Sequence, residues 1–96
     1  MPPMIEEVIR EYPDVEEFYT TVEHVQGLDS LVIQLDPRSG LLPNDFEEIA
    51  IKVGEGIKTH LGVRPIVQTV AHGTLPRYEA KSSRFKDLRA RGNEGT

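Results

Sequence analysis

The run Gly73-Thr74-Leu75-Pro76-Arg77-Tyr78-Glu79-Ala80-Lys81-Ser82-Ser83-Arg84-Phe85-Lys86-Asp87-Leu88-Arg89 holds the residues best suited to chemistry in this 96-residue chain. Gly73 and Pro76 are turn residues and fix a loop, and one lysine, Lys81, follows shortly after. Further bases surround Lys81, with only Glu79 and Asp87 against them. An ammonium on a flexible four-carbon stem, carried by a basic loop, is suited to meeting an anionic group such as a phosphate.

Other residue types offer less. His24, His60 and His72 show no metal-ligand spacing, and only His72 lies beside the loop, where it could touch a ligand. The acid pairs Glu6-Glu7, Glu16-Glu17 and Glu47-Glu48 are adjacent, so their side chains point different ways and read as solvated charge. No P-loop, GxGxxG or GxSxG motif is present, so the chain carries no nucleotide site of its own.

The net charge of -5 hides an asymmetry. Residues 1–48 hold twelve acids against two bases, whereas residues 49–96 hold four acids against nine bases. An acidic half argues against nucleic acid as a partner, and a basic end fits phosphate, nucleotide or coenzyme A. A solvated terminus that only keeps the chain soluble would show the same charge. No stretch approaches the roughly 18 apolar residues of a membrane span. The absence of cysteine excludes disulfides and thiolate metal sites and suits the cytoplasm. The first residues have neither the basic nor the apolar segment of a signal peptide.

Short alternating elements must position the loop. Pro2 or Pro3 opens a helix in which Ile5, Val8, Ile9 and Tyr12 recur at helical spacing, and Pro13 ends it. Val15 to Val25 reads as a strand. Gln26-Gly27-Leu28-Asp29 reads as a turn, and Leu31, Ile33 and Leu35 form the second arm of a hairpin. Asp36 to Gly40 reads as a loop. A long helix follows from Pro43 to Leu61, with Asn44 and Glu47 spaced as a capping box. Its apolar stripe is Phe46, Ile49, Ala50, Val53, Ile57 and Leu61, and Gly62 stops it. Gly54 and Gly56 inside it either permit close backbone packing or are weak points. Ile66, Val67 and Val70 make a third strand, with Pro65 at its start, where an edge tolerates it. The predicted fold is α+β, a small two-layer sandwich with two helices on one face of a three- or four-stranded sheet. Residues 1–88 are expected to form one domain, and 89–96, without an apolar anchor, a disordered tail.

The same landmarks, in order, resemble the C-terminal domain of the adenylate-forming ligases of the phenylacetate–CoA ligase type. Ile5-Glu6-Glu7-Val8-Ile9 after a proline, Pro13-Asp14-Val15, Gly27-Leu28-Asp29 and Leu61-Gly62-Val63 look like that domain's successive landmarks. Gly73 to Arg89 looks like its closing motif, Gly-Thr/Ala-Leu-Pro-Arg-x-Glu-Gly-Lys followed by a basic run. Two positions depart from the pattern: Ala80 stands for the glycine and Tyr78 for a small polar residue, and neither removes the cation.

The resemblance implies that Lys81 is the adenylation lysine, presented by Gly73, Thr74, Leu75, Pro76, Arg77 and Glu79. It implies ATP, Mg and coenzyme A for a complete enzyme, with none of them bound by this chain alone. A large N-terminal adenylation domain, in the same polypeptide or in trans, would hold most of the site, with coenzyme A and acyl-adenylate at the interface. The family's hinge, a Gly-Arg-x-Asp-Asp-like segment, would precede Met1. No nucleic-acid or membrane partner is expected. The alternative is a stand-alone regulatory or interaction module that binds a small acid or nucleotide and self-associates through an open edge at the third strand. A third reading is a structural domain whose lysine loop is vestigial.

Overall fold

A computed structural model describes residues 3–77 and 84–88. Helix α1 (Pro3–Arg10) opens the chain. Strands β1 (Val15–Val25) and β2 (Leu28–Pro37) follow. Helix α2 (Pro43–Leu61), β3 (Ile66–Thr69) and β4 (Phe85–Asp87) complete it. The strands form one sheet in the order β3-β2-β1-β4. The β1–β2 pair is antiparallel, while β3 runs parallel to β2 and β4 parallel to β1. The α+β sandwich expected from the sequence is therefore present, with β4 as a strand inside the stretch that the sequence pattern left as loop.

The hairpin turns on Gln26 and Gly27, both at positive φ (51° and 82°). Such a two-residue turn matches the twist of the flanking strands. Leu28 and Asp29 already pair with Val25 and His24, so the turn is shorter than the four residues predicted. At the other end β2 continues through Asp36 and Pro37, which the sequence pattern assigned to a loop.

Both helices lie on one face. Ile5, Val8 and Ile9 of α1 and Phe46, Ala50, Val53 and Ile57 of α2 form one buried cluster with Val15, Phe18, Ile33 and Leu35 of the sheet. The stripe read from the sequence is the buried side of α2, with Ile49 and Leu61 only partly covered. Pro43 takes the first helical position, so Leu42 is the N-cap and makes no side-chain capping bond. Asn44 is thus already inside the helix, and the expected capping box does not form. Glu47 instead accepts a hydrogen bond from the Thr69 hydroxyl at 2.9 Å, tying α2 to β3. Gly62, at φ 75°, ends the helix and donates its N–H to the Lys58 carbonyl.

A bulge sets which acids are buried. The β1–β2 register shifts between Val15 and Glu17. Strict alternation would put those two residues on the same face. The extra residue, Glu16, turns outward, and Val15 and Phe18 both reach the core. Glu17, on the turn side of the shift, is Asp36's direct partner across the strands, and both side chains are buried.

The two helix glycines have different neighbours. A methyl at Gly56 would stand 2.9 Å from Val8 Cγ1, and Val8 is a stiff, buried residue of α1. At Gly54 it would meet Val67 Cγ2 at 3.4 Å, an ordinary contact. Gly56→Ala is therefore expected to destabilise the domain by about 1–2 kcal/mol despite its helix propensity. Gly54→Ala should instead stabilise it by up to about 1 kcal/mol. Urea denaturation of the two variants checks the opposite signs; a gain for both would mean that α1 does not press on Gly56.

Candidate functional site

The loop predicted to present a cation begins in the described part of the structure. Lys81, Tyr78, Glu79 and Ala80 lie outside the described residues, as does the tail from 89 to 96. Gly73 has φ 84°, which favours glycine and turns the chain sharply. Thr74 closes the turn, its N–H and hydroxyl both donating to the Ala71 carbonyl at 3.0 and 2.6 Å. Leu75 is buried, whereas Pro76 and Arg77 are exposed.

The turn wraps around one side chain. Asp36 is fully buried. Its Oδ1 accepts the Gly73 N–H at 3.1 Å, and its Oδ2 accepts the Leu75 N–H at 2.9 Å. Alternate backbone N–H groups converging on an anion make a nest, and hydrogen bonds to a charged acceptor are stronger than neutral ones. A guanidinium and an imidazole stand by the same carboxylate. Arg77 Nη1 is 3.7 Å from Oδ2 and donates to the Leu75 carbonyl at 3.0 Å. His72 Nδ1 is 3.9 Å from Oδ1 and lies 2.8 Å from the Pro37 carbonyl. A carbonyl oxygen only accepts, so that contact places the proton on Nδ1.

On the far side of residues 78–83, Arg84 meets Glu17. Its Nε and Nη2 lie 2.5 and 3.2 Å from Oε1 and Oε2, a two-pronged contact. Its guanidinium also sits 5.5 Å from the Phe18 ring centroid, and that of Arg10 sits 5.2 Å from the same centroid. Glu17 is 2% exposed, so reading Glu16-Glu17 as a solvated pair is wrong for Glu17: the bulge releases Glu16 alone.

Asp36, Glu17 and Arg84 are thus the site residues that sequence reasoning missed. One signal was available. Asp36 directly follows the Leu31-Ile33-Leu35 alternation, on the parity opposite to the core. Nothing in the sequence marked the bulge.

The histidines hold local contacts. His24 pairs with Asp29, and His60 Nδ1 lies 2.8 Å from the Gly56 carbonyl. Among the described residues no group of three or more His, Asp or Glu side chains could hold a metal ion. None of their helices is long and apolar enough to cross a membrane. Beside the Gly73 turn lies a cleft of about 380 Å³, with an apolar floor including Leu41, Phe46 and Val70 and with Arg38 and His72 also on its lining.

Removing the anion should loosen the turn. Asp36→Ala leaves the buried Leu75 N–H and the part-buried Gly73 N–H without acceptors and is expected to lower the unfolding free energy by about 1–4 kcal/mol. Asp36→Asn keeps one acceptor and should cost about half as much. Chemical denaturation measures both, and an alanine variant as stable as the parent would rule out the clasp.

Residues 1–89 match the model of the AMP-binding enzyme C-terminal domain. No curated protein matches the chain. A domain of phenylacetate-coenzyme A ligase from Bacteroides vulgatus ATCC 8482 superposes with a TM-score of 0.78 at 21% identity, covering 92% of this chain and 83% of that one. 2-Hydroxyisobutyryl-CoA ligase, in complex with 2-HIB-AMP and CoA in the thioesterification state, gives 0.83 at 21% identity. That match covers 99% of this chain and 21% of the ligase chain. A structure from studies of fatty acyl-adenylate ligases of E. coli and L. pneumophila gives 0.64 at 19% identity, covering 98% of this chain and 16% of that one. At such identities the likeness is one of fold, and this chain spans about a fifth of the length of the 2-hydroxyisobutyryl-CoA ligase.

Proposed function

The chain belongs to the family of AMP-binding enzyme C-terminal domains, and on that premise we propose that it is the cap of a phenylacetate–CoA ligase-like acid–thiol ligase. The observation that carries this reading is the Gly73–Leu75 turn clasped on Asp36. It gives the motif's first half a fixed position on the sheet.

The overall reaction has two halves. A carboxylate oxygen of the acid substrate attacks the α-phosphorus of ATP, and the bond to pyrophosphate breaks. The thiol of coenzyme A then attacks the acyl carbon, and AMP leaves with the bonding electron pair. In the first half two anions approach each other and charge builds on the phosphoryl oxygens. A positioned ammonium offsets both, and more strongly once water is excluded. Lys81 is assigned that role, with Gly73, Thr74, Leu75, Pro76, Arg77 and Glu79 presenting it. The second half has no such charge build-up at phosphorus, so the lysine serves adenylation only.

A larger N-terminal domain, in the same polypeptide or in trans, would hold ATP, Mg and most of the acid pocket. No carboxylate cluster among the described residues suits a metal, so no step is drawn through one on this chain. The basic residues around the motif fit the phosphates of ATP and coenzyme A at the interface. The cytoplasm, where these substrates are held, is the proposed location. A second reading, a stand-alone module that binds a small acid or nucleotide, draws support from the cleft beside His72 and Arg38. Titration of the chain with AMP or phenylacetate separates the two: saturable shifts at Val70, Ala71 and His72 would favour the module.

In a ligase carrying this domain, Lys81→Ala is expected to slow pyrophosphate release by on the order of 10²–10³-fold. Thioester formation from pre-made acyl-adenylate should stay near normal. Equal losses in both halves, or none, would refute the assignment. The chain alone, given ATP, coenzyme A and phenylacetate, should make no thioester, because positioning by the larger domain carries most of the catalysis.

A further inference from the structure

We propose that Asp36 and Glu17 are positioning residues for adenylation: they hold, on adjacent strands, the two ends of the segment that carries Lys81. The proposal rests on the ligase reading above. Asp36 takes the entering end through the N–H groups of Gly73 and Leu75. Glu17 takes the leaving end through the guanidinium of Arg84. Asp36 and Glu17 are direct partners in the β1–β2 ladder, so their Cα atoms are about 4.5–5.5 Å apart. Both ends of residues 78–83 are therefore tied to one cross-strand step of the sheet.

A purely structural role explains this arrangement poorly. Like charges directly opposite each other in a sheet are unfavourable. Burial sharpens the penalty, and a buried ion pair is seldom more stabilising than apolar residues of the same size. Asp36 and Glu17 are nevertheless both buried, and the unbroken register that runs from the Gln26-Gly27 turn sets them opposite each other. Each is offset by a cation from a different flank of the segment, Arg77 on one side and Arg84 on the other. The clasp thus needs both flanks in place, and placing the flanks is what an ammonium between them requires. β4 strengthens the leaving end, since Phe85, Lys86 and Asp87 pair in register with Thr20, Thr21 and Val22 immediately after Arg84.

The test uses a ligase that carries this domain and measures the two half-reactions separately. The variants are Asp36→Asn, Glu17→Gln and Arg84→Lys, with Lys81→Ala as reference. Val53→Ala serves as a stability control, because Val53 is a core residue of α2. Thermal midpoints are recorded for all. A small misplacement of a reacting group is enough for a large rate effect, so the three clasp variants are expected to slow pyrophosphate release by about 10- to 100-fold. Thioester formation from pre-made acyl-adenylate should change less than about threefold, within the loss that Val53→Ala shows at a similar thermal shift. Arg84→Lys keeps the charge and loses the two-pronged contact, so it reads out the clasp even where a buried amide variant fails to fold. If Lys81→Ala leaves adenylation intact, the ligase reading fails. If Lys81→Ala slows adenylation but the clasp variants lose both halves equally, as Val53→Ala does, or lose neither, the positioning role is overturned.

Discussion

The organisation of the motif depends on one buried carboxylate. Asp36 stands next to last in a strand whose preceding odd positions, Leu31, Ile33 and Leu35, face the helices. It therefore points to the other face, where water would normally solvate it. The Gly73–Leu75 turn replaces that water with two N–H groups. A carboxylate excluded from solvent holds such donors firmly, because the alternative is an uncompensated buried charge. The turn is thus fixed by electrostatics and by the positive φ of Gly73, more than by apolar packing, of which Leu75 supplies a single buried side chain.

The sheet makes this possible. The tight Gln26-Gly27 turn sets the hairpin register, and the bulge near Glu16 shifts it by one residue at the far end. Without the shift, Val15 would share the face of Glu17 and leave the core. Glu17, on the unshifted part of the ladder, stands beside Asp36 and receives Arg84. The packing of α1 against α2 at Gly56 holds the opposite face, so the clasp is built on a backed sheet.

Much of the fold was legible because periodicity reports burial directly. Phe46, Ala50, Val53 and Ile57 of the stripe, and Ile33 and Leu35 of the hairpin, are buried as their spacing required. Boundaries were less legible where local signals competed. Pro43 claimed the first helical position and displaced the Asn44 cap, and β2 ran past the apparent loop signal Asp36-Pro37. The site was half legible. Gly73 and Pro76 announced a loop, and the basic run announced an anion-facing role. Asp36 and Glu17 did not stand out, because a buried acid is recognised by its partners, and these partners lie 37 to 67 residues away. β4 was missed for a related reason: three residues in a charged stretch carry too little periodicity to mark a strand.

The first half of the motif is a rigid extension of the sheet, and amide hydrogen exchange on the 96-residue chain tests this most directly. The N–H groups of Gly73 and Leu75 are donors to a fully buried acceptor. They should exchange with protection close to that of the central β1–β2 ladder, in the free-energy range of global unfolding. Exchange of both amides at the rate of exposed Gly40, while the ladder stays protected, would contradict the clasp and with it the fixed placement of the loop.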